Sequence, residues 1–282
     1  MTNDIITLKN SEWTAKICPR PGANIIALKY REKDVLRPLE DEKQLENNPY
    51  VFGSPILMPA NRTYKGKFTF EGKEYNMPLN EPQNNCHLHG LVLFQSFETL
   101  DVTADTAVLR INDGKCTSYP FPYALTVHYS LTDNGLLSSY ELENIGQGNM
   151  PFTFCLHTTF IEPENFSCPI DMCLEKDAHH VPTGKYVELS ETENAYVHGS
   201  PSRKINISGY YHACGDTAKI GDFIYRISDN FDHIVLYNGG GESGFLCVEP
   251  MSGKVNGLNM PDGHKIIAPN EKIKFTTYIL HI

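Results

Sequence analysis

Short runs of alternating apolar and polar residues, each closed by a turn signal, recur from one end of this chain to the other, and no sustained 3.6-residue apolar period accompanies them. Alternation places successive side chains on opposite faces of a strand and cannot line one side of a helix, so the pattern predicts an all-β protein. Lys67-Phe68-Thr69-Phe70, then Glu71-Gly72-Lys73-Glu74, then Tyr75-Asn76-Met77 reads as strand, tight turn and strand, with Phe68 and Phe70 on one side. Residues 124–131 and 136–142 flank Thr132-Asp133-Asn134-Gly135, where Asn-Gly supplies the positive φ a hairpin turn needs. Further strands are expected at residues 107–111, 151–157, 223–227, 234–237, 245–248 and 272–280, and so many strands over the whole length predict a large sandwich. The charged run at residues 40–48 fits one or two helical turns or a solvated loop.

With 282 residues and 40% hydrophobic content, the chain can bury a large core as one big β domain or two smaller ones. No linker, composition break or internal repeat divides it, so a single domain over residues 1–282 is the simpler expectation. Eight scattered cysteines without a Cys-x-x-Cys pair read as reduced thiols of a cytoplasmic protein. The N-terminal residues lack a basic stretch followed by an apolar segment, and no run approaches 18 apolar residues, which argues against secretion and membrane spanning. A formal net charge of -10 argues against nucleic acid or anionic membrane partners, because phosphate backbones require a basic stripe. A neutral small molecule fits this balance better. Monomer and homodimer are both open.

Four places carry the candidate chemistry. Asn61 and Arg62 end an apolar stretch bounded by Pro55 and Pro59, and the rigid guanidinium fork suits either ring hydroxyls or loop carbonyls. In Asn84-Asn85-Cys86-His87-Leu88-His89-Gly90 two histidines stand at i and i+2, and Gly90 suggests a close approach of backbone or ligand. There His89 is the ligand-contacting candidate and His87 the structural one. His157 is expected at a strand end, sharing a face with Thr153 and Cys155, placed to serve an opening or to sit satisfied in the core. Glu249 follows the apolar run Gly244-Phe245-Leu246-Cys247-Val248 and precedes Pro250, which is expected to stop the ladder. A carboxylate at such a place is costly to bury without donors or a task, and desolvation would raise its pKa toward a general-base range; the alternative is a surface salt-bridge partner.

Taken in order, Asn61-Arg62, the segment Gly66-Lys67-Phe68-Thr69-Phe70-Glu71-Gly72-Lys73-Glu74-Tyr75, His89-Gly90, His157 and Val248-Glu249-Pro250 with Asn256 and Asn259 resemble the aldose 1-epimerase (galactose mutarotase) family, as a short and less characterised member. The match in order and spacing runs from about residue 50 to the end. The resemblance implies a β-supersandwich of two large, mostly antiparallel packed sheets with an open sugar cleft, and interconversion of the α and β anomers of an aldose. It also implies that Glu249 takes the proton from the anomeric hydroxyl, that His157 protonates the ring oxygen, that His89 stands near that oxygen and that Arg62 anchors hydroxyls beside Asn61. Opening a hemiacetal needs only these two proton transfers, by groups expected on opposite sides of the ring, so no metal or organic cofactor is required.

Several positions depart from the family pattern. His-Gly-Gly is here His89-Gly90-Leu91, His-Pro-Tyr-Phe is His157-Thr158-Thr159-Phe160, and Arg-Ile is Arg62-Thr63. The family's sugar-binding aspartate, expected around Ser208-Gly209-Tyr210-Tyr211-His212, is missing; Asp216 and Asp222 are the nearby carboxylates. Three alternatives remain. One is a non-catalytic sugar-binding or sensing protein. Another is a hexose-6-phosphate 1-epimerase using Arg62, Lys65 and Lys67. The third is a metal enzyme with a cupin-like set of His87, His89, His157 and Glu249.

Overall fold

A computed structural model describes residues 5–39, 41 and 43–282 of the chain. Two eight-stranded sheets dominate it. The first runs Glu98–Val102, Thr106–Asp113, Tyr123–Thr132, Gly135–Asn144, Lys272–His281, Phe223–Ile227, Thr217–Ile220 and Phe166–Ser167 in spatial order. The second runs Pro182–Glu188, Ile170–Lys176, Ser208–Ala213, His233–Tyr237, Phe245–Ser252, Phe154–Leu156 and Ile56–Leu57, with Thr158–Ile161 also paired to Phe245–Ser252. The paired strands are antiparallel throughout, and a four-stranded meander from Ile6–Lys9 to Lys33–Asp34 adds a further layer.

Alternation along the second sheet decides what each of its faces meets. Ile234, Leu236, Leu246, Val248, Phe154 and Leu156 join the core shared with the first sheet. Phe154 stacks on Phe275 across it, ring centroids 4.8 Å apart at 13°, a contact worth about 0.5–1.5 kcal/mol beyond area burial. The intervening Val235, Tyr210, Leu174, Cys155 and Met251 form a second apolar cluster on the opposite face. All eight residues of Phe245–Ser252 are therefore buried, and any polar side chain on that strand needs a reason to be there.

Several local expectations are corrected. The strand expected at residues 245–248 continues through Pro250 to Ser252, so Glu249 lies within a central strand instead of at its end. Pro250 is tolerated because the neighbouring chain is parted there. Leu156 pairs with Ile56 instead, and the His157 amide donates to the Pro55 carbonyl at 3.0 Å. The strand expected at residues 151–157 is accordingly two pieces, Met150–Phe152 and Phe154–Leu156. The hairpin after Phe70 turns on Glu71 and Gly72 alone, both at positive φ, so its second strand starts at Lys73. At the other hairpin Gly135 already belongs to the strand, where a Cβ would meet the Ile279 carbonyl oxygen at 1.9 Å. Within the charged run at residues 40–48 the helix is Lys43–Asn47; Glu40 and Glu42 lie outside the described residues.

Among the described residues one α-helix went unanticipated, Glu191–His198. Ser190 caps it by accepting from the Glu193 amide while Glu193 takes the Ser190 amide, a reciprocal box that the Ser-x-x-Glu spacing advertises.

Candidate active site

The second face of the central sheet opens into a cleft of about 520 Å³ whose lining includes Asn61, Arg62, His89, His157 and Glu249 together. Register explains how two of them meet. Phe154 faces Ser252 and Cys155 faces Met251 before the strand is interrupted; Thr158 faces Val248 and Thr159 faces Cys247 after it. The same register runs through both stretches, so His157 stands directly opposite Glu249. Their Nε2 and Oε1 atoms are 3.3 Å apart, and the side chains are only 5% and 2% exposed. On its other side Glu249 pairs with Val235, and Val235 with Tyr210, so one row across the sheet forms the cleft floor.

Burial sets the ionisation of this pair. Desolvation pushes the Glu249 carboxyl up to about 8 against the opposing pull of the Arg62 charge, and desolvation pushes the His157 imidazole down to about 4. His89 is likewise held well below the ordinary histidine range by burial first, then by His157 and Arg62. Glu249 Oε2, His157 Nδ1 and His89 Nδ1 are buried without a hydrogen-bond partner in the protein. The His89 ring meets His157 edge-on at 5.2 Å, and Tyr50 backs it at 4.5 Å.

The His89 wall is built from backbone. Asn61, His89 and Gly90 all take positive φ, and the His89 amide donates to the Asn61 carbonyl at 2.8 Å. Gly90 is required here, since a Cβ would lie 2.0 Å from the Met58 carbonyl oxygen; this is the close approach its place in the sequence suggested. His87, two residues earlier, points away, with its Nδ1 2.7 Å from the Pro78 carbonyl oxygen. The set His87, His89, His157 and Glu249 therefore does not converge on one point.

Arg62 is largely engaged by the protein itself. Its Nε and one terminal nitrogen donate to the two oxygens of Glu81 at 2.8 and 2.7 Å, and the other terminal nitrogen donates to the Tyr210 hydroxyl at 2.8 Å. Burial opposes the Arg62 charge, but Tyr210 and Glu81 outweigh it and hold the pKa above the ordinary value. Asn256 and Asn259 brace this edge: the Asn256 amide donates to the Arg62 carbonyl, its side-chain oxygen accepts from the Tyr64 amide, and Asn259 donates to the Lys67 carbonyl. Lys65 and Lys67 line a different hollow beside Glu74, so the basic trio expected for a phosphate does not assemble.

Glu81 and Tyr210 are the two functional candidates that sequence reasoning missed. Alternation in Ser208–Ala213 would have turned Tyr210 toward the side opposite Tyr211, but nothing local marked that side as the cleft. Glu81, beside Pro82, looks like any loop carboxylate until Arg62 is seen to hold it. Asp216 and Asp222 are not among the cleft residues; Asp222 pairs with Lys33 at 2.6 Å. Tyr50 and Tyr237 also line the cleft as aromatic surfaces, a choice that the fifteen tyrosines left open in sequence.

A family model described as Aldose 1-epimerase matches residues 4–279. The chain is 28% identical over 191 residues to galactose mutarotase from Rattus norvegicus, covering 61% of this chain and 54% of that protein. It is 26% identical over 170 residues to the uncharacterized protein YihR from Escherichia coli, covering 57% of this chain and 54% of that protein. The match thus spans little more than half the length of these curated relatives. In structure it is similar to a galactose mutarotase-like protein from Clostridium acetobutylicum, with a TM-score of 0.88 at 21% identity over 98% of this chain and 94% of that one. The two large sheets are the β-supersandwich that the resemblance implied.

Proposed function

Because this chain belongs to the aldose 1-epimerase family, we propose that it is an aldose mutarotase, an isomerase interconverting the α and β anomers of a free aldose by acid–base ring opening and closure. The observation that carries this reading is the His157–Glu249 pair on the floor of the cleft. The anomeric hydroxyl and the ring oxygen are bonded to the same carbon, so a base and an acid 3.3 Å apart can reach both from one side and need not stand on opposite sides of the ring.

With Glu249 raised and His157 lowered, the pair holds one proton between about pH 4 and about pH 8, and at rest it is on the Glu249 carboxyl. The reading requires that proton to pass to His157 across the 3.3 Å gap when sugar is bound. Glu249 as carboxylate then takes the hydroxyl proton while protonated His157 gives its proton to the ring oxygen. The C1–O5 bond breaks, C1 becomes an aldehyde, rotation about C1–C2 exposes its other face, and both transfers reverse. Each positioned group is worth about 10²–10⁴-fold.

In this reading His89 is a second polar group beside the ring oxygen. Arg62, Glu81 and Tyr210 present a fixed array of donors and acceptors to the remaining hydroxyls, with Tyr50 or Tyr237 against the apolar ring face. Glu81 supplies the carboxylate that the missing family aspartate would have provided. No cofactor enters the scheme. The eight free cysteines support a reducing compartment, and no helix among the described residues is long and apolar enough to cross a membrane; we place the work of this protein in the cytoplasm.

A panel of aldoses, phosphorylated and not, followed by polarimetry or NMR at low enzyme concentration, tests the proposal. Accelerated anomer exchange of at least one sugar is expected. Saturable sugar binding with no acceleration would replace the enzyme by a sugar-binding protein.

A further inference from the structure

Buried beside the floor of the cleft, though not among the residues that line it, lies a third donor that proton transfer does not use. Cys247 precedes Glu249 by two positions on the same strand and therefore shares its face, and it pairs across the strand with Thr159 just as Glu249 does with His157. A ring nitrogen of His157, the Cys247 sulfur and a carboxylate oxygen of Glu249 all lie within 4.8 Å of one another, and all three residues are buried. Two polar atoms of this group, Glu249 Oε2 and His157 Nδ1, have no partner in the protein, and the neighbour of the Cys247 sulfur is the Thr159 hydroxyl at 3.4 Å.

Tetrahedral zinc, with bonds of about 2.0–2.3 Å, sets its ligand atoms about 3.3–3.7 Å apart. The His157–Glu249 edge of 3.3 Å already has that length, and the sulfur, within 4.8 Å of both, has to close in by at most about 1 Å. One sulfur, one nitrogen and one carboxylate form a donor set suited to borderline and soft cations, whereas magnesium and calcium, which seek roughly six or more oxygens, would find a single carboxylate.

We propose that His157, Cys247 and Glu249 form a site for a thiophilic divalent cation of the zinc class, and that its occupancy reversibly silences the cleft by taking the lone pairs that acid–base exchange needs. Only the silencing rests on the mutarotase reading; the binding does not. Ligation requires the Cys247 thiol, and the Glu249 carboxyl where it is protonated, to give their protons to solvent, so affinity rises with pH.

Cobalt(II) is the probe. Chelator-stripped protein without sugar should take up one Co²⁺ per chain with a near-ultraviolet thiolate-to-cobalt charge-transfer band, and Zn²⁺ should displace it. The band should survive in Cys116→Ser/Cys214→Ser, which removes the two exposed thiols, and vanish in Cys247→Ser. Absence of the band in wild type, or its loss in the exposed-thiol variant, overturns the site even if Cys247→Ser fails to fold. In anomer-exchange assays Zn²⁺ should inhibit wild type and Mg²⁺ should not, and Cys247→Ser should keep its uninhibited rate while Zn²⁺ inhibition weakens about tenfold or more. Failure of the mutarotase reading would leave the cobalt spectrum unchanged. Equal Zn²⁺ inhibition of wild type and Cys247→Ser would overturn the silencing.

Discussion

His157 and Glu249 are cross-strand partners: the register that sets Phe154 against Ser252 and Thr159 against Cys247 brings them face to face, 3.3 Å apart. Each is opposite the other on a central sheet whose strands cannot slip without turning every side chain to the wrong face, so the pair is held by the whole sandwich.

If the two act as one acid–base unit, Glu249→Gln and His157→Asn should each lower the anomer-exchange rate by about 10²–10⁴-fold, with sugar affinity little changed. The double variant should be scarcely worse than either single one, because each already removes the exchange. Rate and binding measured side by side on the three variants check this.

The pH profile follows from the two shifts. Below about pH 4 both groups are protonated and no base remains; above about pH 8 the pair has lost its proton and no acid remains. The profile of kcat/KM should be a bell with limbs near these values, which belong to the pair. A rate that keeps rising well beyond about pH 8 would count against it.

The same shift bears on stability. Glu249 has a folded pKa raised from 4.5 to about 8, so its contribution is fully present below about pH 4.5 and is lost as pH rises through about 8. Gln cannot ionise, so the Tm of Glu249→Gln relative to wild type should rise steadily across that window and level off above it. Thermal melts at several pH values measure the gap.

Arg62 and Glu81 form a bidentate pair with side chains 16% and 7% exposed. Removing one partner strands the other, so Glu81→Ala should cost up to about 3–5 kcal/mol, whereas Arg62→Met/Glu81→Leu should recover most of that stability. The double variant should nonetheless bind sugar weakly if the pair presents donors and acceptors to hydroxyls. Denaturant melts and sugar titration separate the two effects.

Gly90→Ala tests the wall behind His89. The new Cβ would press on the Met58 carbonyl oxygen at a residue held at φ +67°, so a loss of more than about 1 kcal/mol and a fall in anomer exchange are expected together. An unchanged Tm would mean that this loop gives way freely.

Much of the fold was legible because its signals are local. Alternation marked Thr106–Asp113, Phe223–Ile227 and Lys272–His281, and the turn residues marked both hairpins. Where reading failed, a distant partner had decided. Pro250 alone says that a ladder stops, yet the strand runs on because Leu156 is drawn away to Ile56. The helix Glu191–His198 was signalled by its capping box but is short, without a strong apolar period to support it. Among the site residues, His89 and Glu249 stood out through unusual neighbours, a glycine and a buried strand. Glu81 had no such neighbour, and its role rests on Arg62, which reaches it from another segment.

By itself the sequence determined which segments are strands and turns, and which imidazoles, carboxylates and guanidinium are on offer, because backbone preference and side-chain alternation act over a few residues. Which of these meet was decided only by tertiary structure. Strand order and register are selected by burial summed over two whole sheets, and that sum put His157 opposite Glu249, turned His87 away and locked Arg62 onto Glu81. Burial did the rest, carrying the two ionisations past each other, Glu249 up to about 8 and His157 down to about 4, so that the neighbouring side chains hold one proton across that range.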